Sequence, residues 1–235
     1  MSDGVALSWS GGKDSSLALW VMREELGVEP VALLTTMTED HGRVSMHGVR
    51  RELVHAQAEA VGLPLVEVAI PAVCTNETYE ARMAATLAAP PLDAVGTFAF
   101  ADLYLADIRA YREERLAAIG RRAIFPLWGR DTAALAARFV AAGFEATLAC
   151  VDPRSLDRSF AGRSYDEALL RDLPEGVDPC GEDGEFHTFV SAGPIFSAPI
   201  AIERGETVER DGFVFTDLLP AQPRAAAADR SPRLA

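Results

Sequence analysis

Apolar residues follow two rhythms along this chain. Short, nearly continuous apolar runs lie at 5–9, 30–37, 65–70, 94–100, 123–128 and 145–151, separated by longer stretches in which apolar positions recur at helical spacing. Continuous apolar and β-branched runs are what strands covered on both faces require, and helical spacing marks helices that bury one side. Behind residue 12, Leu17, Trp20, Val21 and the Met22 and Leu26 pair keep that spacing. A second helix opens at Gly48, Val49 and Arg50 and runs to about Val61, with Val49, Leu53, Ala56 and Ala60 on one face. Thr75 is placed to cap a third helix over 76–89. A fourth is expected over 107–119, and a fifth runs from Asp131 and Thr132 to Ala142, ended by Gly143. Strand and helix alternate, which predicts an α/β fold built on a doubly wound, mostly parallel, Rossmann-like sheet, with ligands at the carboxyl ends of its strands. Pro126 implies that the 123–128 strand is interrupted or lies at an edge. Residues 199–219, around Arg204 to Glu206 and Gly212, read as a closing antiparallel pair.

The most informative junction is the first. The 5–9 strand runs into Ser10, Gly11, Gly12, Lys13, Asp14 and Ser15, and the first helix starts directly behind them. Adjacent glycines let the backbone turn tightly and come close to a ligand. Ser10 and Ser15 add hydroxyl donors, Lys13 adds a full charge, and the helix start offers free N–H groups and the positive end of its dipole. These are the components of a phosphate cradle. It is not of the Walker type, because Leu7 stands where that pattern needs glycine and Asp14 follows the lysine. Of the 22 basic residues, Lys13 is the only lysine. The loop resembles the pyrophosphate loop of the N-type ATP pyrophosphatases, which split ATP between its α and β phosphates to adenylate a substrate.

Composition sets limits on the rest. With 235 residues, 49% of them hydrophobic, the chain can fill a core. Neither a long apolar span nor a charged start followed by an apolar stretch is present, so a cytoplasmic protein without membrane association is expected. The net charge of −13 makes a large nucleic acid a poor partner. Cys74, Cys150 and Cys180 lie far apart, which suits neither a disulfide framework nor a paired metal site. The mixed-sign run Arg109, Arg112, Glu113, Glu114 and Arg115 reads as a solvated helix face. A monomer and a homodimer both remain open.

A second chemical segment spans residues 178–190, where Asp178, Glu182, Asp183, Glu185 and His187 are set among Gly181 and Gly184 before an apolar run. Carboxylates and an imidazole on a tightly turned loop are suited to proton transfer. This segment, the phosphate loop, the run Met46, His47, Gly48 and Val49, the run Trp128 to Asp131, and the stretch from Val151 to Arg163 resemble, in order and spacing, the diphthine–ammonia ligase family. One departure is Ala101, where the pattern implies a glycine before the aspartate at 102. The resemblance implies a HUP-type nucleotide-binding domain over 1–129, a smaller C-terminal α/β portion over 130–219 with an active cleft between the two, and residues 220–235 as a disordered tail.

The chemistry implied is ATP-dependent and amide-forming. ATP would lie with its β and γ phosphates on Ser10, Gly11, Gly12, Lys13, Asp14 and Ser15, with Mg2+ shared by Asp14. Adenine would sit near Thr35 and Met37, at the ends of the first two central strands. An acceptor carboxylate would attack the α phosphate, and ammonia would then displace AMP, helped by Lys13, Glu182, Glu185 or His187. The family's name reaction acts on diphthine of a translation elongation factor in archaea and eukaryotes, so the acceptor is diphthine only in such a source. Two alternatives stand beside this one: a tRNA-modifying thiolase of the same superfamily, which calls for paired cysteines, and a regulator that binds ATP or AMP without turnover.

Overall fold

The computed structural model describes residues 4–221. In chain order the elements are β1 (Gly4–Ser8), α1 (Lys13–Glu24), β2 (Ala32–Thr38), β3 (Arg43–Val44), α2 (Arg51–Val61), β4 (Leu65–Ile70), α3 (Asn76–Leu87), β5 (Val95–Ala99), α4 (Ala106–Ala117), β6 (Arg122–Ile124), α5 (Thr132–Ala141), β7 (Glu145–Val151), α6 (Glu167–Asp172), β8 (Phe186–Ala192), β9 (Ile202–Arg210) and β10 (Phe213–Pro220). Their arrangement is mixed α/β, with a mostly parallel first sheet and a smaller C-terminal sheet.

In the first sheet β1 lies between β2 and β5, β6 extends the β5 side, and β4 pairs with the far side of β2, all in parallel. The short β3 adds antiparallel pairing at the end of β2. The chain therefore winds outward from β1 in one direction and resumes on the other side with β5. That leaves a switch point at the carboxyl ends of β1 and β5, where open α/β sheets bind ligands. Alternation along β2 decides which face each residue serves. Leu33 and Met37 pack with Leu7 and with Leu17, Val21, Leu53 and Val54 of α1 and α2. Ala32 and Leu34 pack on the opposite face with Ala6, Phe98, Leu87 and Leu116, the last two from α3 and α4.

The second sheet, in the order β8, β7, β10, β9, is antiparallel throughout. The 145–151 run therefore does not continue the alternation of the first sheet; all of it but Glu145 is buried, and Ala146, Leu148, Ala149 and Val151 share the first core cluster with Leu135, Ala136 and Phe139 of α5. The first core cluster extends across this boundary, joining Leu7 and Leu53 to Phe139, Leu148, Phe186 and Val190. β6 stops at Ile124, so Pro126 interrupts the expected 123–128 strand. The helix capped by Thr75 ends at Leu87, and Thr75 accepts from Thr78 N at 3.2 Å. Asp131 caps α5 in the same way, accepting from Ala134 N at 2.7 Å. Pro220 closes β10 and Ala221 N donates to Ala201 O at 2.9 Å, so the segment expected as a tail starts inside the sheet. Residues 222–235 of that segment lie outside the described residues.

The two sheets are joined at the phosphate loop. Val190 N of β8 donates to Gly11 O at 3.0 Å. The fully buried Gln57 of α2 donates to Gly11 O at 2.9 Å and to Val190 O at 2.6 Å, and accepts from Trp9 Nε1 at 3.1 Å. Gly11 has a φ of +77°, and a Cβ there would lie 2.5 Å from Gln57 Oε1, so only glycine fits. Arg50 grips Asp217 of β10 through two bonds of 2.9 and 2.7 Å, and Arg43 reaches the same carboxylate at 2.9 Å. Replacing Gln57 with leucine keeps the volume and removes every one of its hydrogen bonds. Leaving such buried groups unpartnered costs about 1–3 kcal/mol, so chemical denaturation of Gln57→Leu should show a loss of that order; an unchanged midpoint would mean Gln57 does not hold the loop.

Candidate active site

Gly12 is the N-cap of α1 and supplies no side-chain acceptor to the first turn. The start of the helix is thereby left to an incoming anion. Lys13 N is anchored to Thr188 Oγ1 of β8 at 3.0 Å. Ser10 Oγ accepts from Gly12 N at 3.3 Å, and Ser15 Oγ donates to Gly12 O at 3.0 Å. A cleft of about 240 Å³ opens over this turn. Ser10, Gly12, Lys13, Asp14 and Ser15 line one side, Glu182, His187 and Thr188 the other, with His47, Asp102 and Arg112 between.

The Lys13 side chain is 4% exposed. Its ammonium bonds both Asp14 oxygens, at 3.0 and 2.8 Å, and donates to the Cys180 carbonyl. Burial alone would discharge this amine. The Asp14 carboxylate beside it, followed by Cys180 and Glu182, outweighs burial and holds the Lys13 pKa above its ordinary value. Across the cleft, Glu182 Oε1 accepts from Leu103 N at 2.7 Å. Burial lifts the Glu182 pKa to about 7 against the pull of that N–H, and the charge of Asp14 adds to the rise.

His187 lies against His47 with ring centroids 4.3 Å apart. Burial takes His187 well below the usual histidine range, and His47 and Lys13 push it further. Burial and Lys13 bring His47 to about 4, against a hydrogen bond with Ser45 O. Both rings are neutral at pH 7.

Three expected residues stand apart from the cleft. Glu185 is 5% exposed and turned inward, where its Oε1 accepts from Asp178 N at 2.9 Å, so it shapes the acidic loop from behind. Thr35 and Met37 sit on the face of β2 that packs toward α1 and α2; Thr35 Oγ1 is buried with no hydrogen-bond partner and Met37 belongs to the core. Their neighbour Thr36 faces the other way, into an apolar pocket of about 250 Å³ between α3 and α4. That pocket shares Ser8, Phe100 and Arg112 with the cleft.

The structure also brings in residues that sequence reasoning left aside. His47 stood inside a motif without a role. Arg112 was counted with a solvated face, yet it pairs with Asp102 at 2.8 Å and lies 4.3 Å over the Phe100 ring. The apolar Phe98 to Ala101 run ahead of Asp102 was the available signal for that pairing.

The chain matches the diphthamide synthase N-terminal domain over residues 3–122 and the diphthamide synthase C-terminal domain over residues 131–217. It is 29% identical over 223 residues to a diphthine–ammonia ligase of Schizosaccharomyces pombe, an alignment that covers 85% of this chain and 36% of that protein. It is 34% identical over 113 residues to a diphthine–ammonia ligase of Danio rerio, covering 44% of this chain and 43% of that one. The matched regions thus cover less than half of each of these relatives. No helix among the described residues is long and apolar enough to cross a membrane.

Two outcomes follow from the electrostatics. Burial raises both Cys150 and Cys180 to about 12, so neither holds a thiolate at neutral pH. Peptide mapping after brief alkylation of the native protein should find Cys74 modified and Cys150 and Cys180 spared; rapid labelling of Cys180 would reopen the thiolase alternative. The folded state favours protonated Glu182, whose pKa moves from 4.5 to about 7. Its contribution to stability is full below the unfolded value and is lost as pH rises through the folded one. Wild type should therefore lose stability relative to Glu182→Gln between about pH 5 and pH 8, and parallel curves would show that Glu182 titrates normally.

Proposed function

The chain belongs to the diphthamide synthase family, and from that premise we propose that it is an ATP-dependent, AMP-forming carbon–nitrogen ligase that converts an acceptor carboxylate to an amide with ammonia. One observation carries this reading: the Lys13 loop and the acidic loop that ends in β8 converge on a single cleft, with Glu182 and His187 facing Lys13 and Asp14. A nucleotide-binding fold with no further chemistry has no use for that convergence.

In the proposed reaction the β and γ phosphates lie on residues 10–15, where the N–H groups at the start of α1 and the Lys13 ammonium meet their charge. Adenine fits the apolar pocket reached past Ser8 and Phe100, with Thr36 on its wall in place of Thr35 and Met37. The acceptor carboxylate attacks the α phosphate to form an acyl adenylate, and pyrophosphate leaves. Ammonia attacks the acyl carbon, AMP leaves, and one proton is released. Glu182, with a pKa near 7, can take that proton at neutral pH. His187 is neutral and offers a hydrogen bond in the same cleft. Glu185 acts from behind by holding Asp178, whose Oδ2 accepts from Tyr104 OH at 2.9 Å.

Among the described residues no group of three or more potential ligands is arranged to hold a metal ion alone. Magnesium binds through substrate phosphates with one or two carboxylates. Asp14 would supply one, and Asp102 and Glu182 face the same space. When bound, the ion would offset the phosphate charge.

The test measures pyrophosphate release and ATP affinity together. Wild type should bind ATP by calorimetry and release pyrophosphate when ammonia and a suitable carboxylate are both supplied. Lys13→Arg should bind ATP about ten- to a hundredfold more weakly, because a planar guanidinium does not fit where a compact ammonium bonds a carboxylate and a carbonyl. Equal ATP affinity in a well-folded Lys13→Arg protein would remove the loop from the phosphate site. Tight ATP binding without pyrophosphate release for any acid would favour the regulator.

A further inference from the structure

A second pocket, of about 350 Å³, lies between the 38–48 segment and the β9–β10 turn, and His187 lines both it and the phosphate cleft. Its wall is built with close tolerance. Gly48 has a φ of +68°, and a Cβ there would stand 2.6 Å from the Phe215 ring, so the 45–48 loop lies directly on that aromatic. Met46, 71% exposed at the rim, has a φ of +66°, which is uncommon for a residue other than glycine. Phe213 and Phe215, with ring centroids 6.4 Å apart, make the apolar floor.

The charges in this pocket are not equivalent. Arg43 is committed: it pairs with Asp217 at 2.9 Å and donates to Gly48 O at 2.7 Å. Arg210 is not. Its guanidinium lies 5.2 Å over Phe215, and the exposed Asp211 stands 3.9 Å away, beyond hydrogen-bond reach. The pocket thus combines an aromatic floor, a flexible thioether rim and a guanidinium that makes no hydrogen bond among the described residues, and it shares His187 with the cleft that Lys13 lines.

We propose that this pocket holds the acceptor of the ligase reaction, and that the acceptor is a dicarboxylic acid with an aromatic or alkyl body. One carboxylate meets Arg210, the body lies on Phe213 and Phe215 under Met46, and the second carboxylate passes His187 to the α phosphate. The proposal rests on the ligase reading for the second carboxylate, whereas binding of the acid itself does not depend on turnover. Of the two ends, only the one at the cleft becomes the amide.

The experiment uses ligand-observed NMR and calorimetry with phenylsuccinate and straight-chain dicarboxylates as probes, alongside phenylacetate as a monoacid. Phenylsuccinate should bind wild type more tightly than phenylacetate. Arg210→Ala and Phe213→Ala should each weaken it about tenfold or more, with ATP affinity unchanged, and Arg210→Lys should restore part of the loss. Thermal melts check folding, and Arg210, being largely solvated, is the safer variant. Absence of binding by every dicarboxylate, or binding equal in wild type and Arg210→Ala, overturns the proposal. Failure of the ligase reading looks different: acids bind and depend on Arg210, yet no pyrophosphate appears.

Discussion

The phosphate loop has to satisfy two opposed demands, and the way β8 meets it resolves them. The backbone of residues 10–13 must present N–H groups to an anion, yet it turns at the floor of the cleft, where unpartnered polar groups are costly. β8 takes up those groups that point away from the anion: Val190 N bonds Gly11 O, and Thr188 Oγ1 receives Lys13 N. Gln57 bridges Gly11 O and Val190 O with a single amide. A Cβ at Gly12 would stand 3.1 Å from Thr188 O, so the close approach needs glycine on the loop side. The second sheet is therefore structural support for the first sheet's site as well as the source of His187, and the loop leading into β8 supplies Glu182.

The same contact bears on how a chain of net charge −13 would receive ATP in the proposed reaction. What an approaching phosphate meets is local: the N–H groups at the start of α1, and Lys13 and Arg112 each paired with an acidic neighbour. Asp14 is bound to Lys13, Asp102 to Arg112, and Asp178 to Tyr104. Glu182 is the exception, and burial brings it to half protonation near neutral pH, which lessens its repulsion of the nucleotide. A full carboxylate there would oppose the anion that the proposed reaction brings to the loop.

Much of this architecture was legible in the sequence because the signals were local. The 65–70 and 145–151 strands, the caps at Thr75 and Asp131, and the strand, glycine turn and helix of the phosphate loop each follow from a few adjacent residues. Pairing partners were not local. An apolar run such as Glu145–Val151 reads the same whether α5 covers an antiparallel strand or a crossover helix covers a parallel one, so its sheet could not be assigned. Within the site, what adjacent residues do not show is facing. Thr35 and Met37 point to the α1 side of β2, while Thr36 between them faces the open pocket. Glu182 and Glu185 look alike in sequence, and only the turn at Gly184 aims one at the cleft and the other into the core. His47 and His187 are 140 residues apart in a chain whose pairing was unknown, so no spacing rule could join them.

That imidazole pair is where the two halves of the proposed reaction meet. A protonated ring beside Lys13 would add cationic charge, and burial together with Lys13 keeps both rings neutral. Neutral rings matter for an anionic acceptor in transit. Two cations at the passage would hold a carboxylate there, short of the phosphate, whereas neutral rings leave Lys13 as the stronger attraction further in. The tilted contact also orients each ring through the other, and His47 is tied to Ser45 O in a loop that Gly48 presses onto Phe215. A shift of β10 against that loop would therefore reach His187 through packed groups, linking the wall of the acceptor pocket to the cleft in which the amide bond would form.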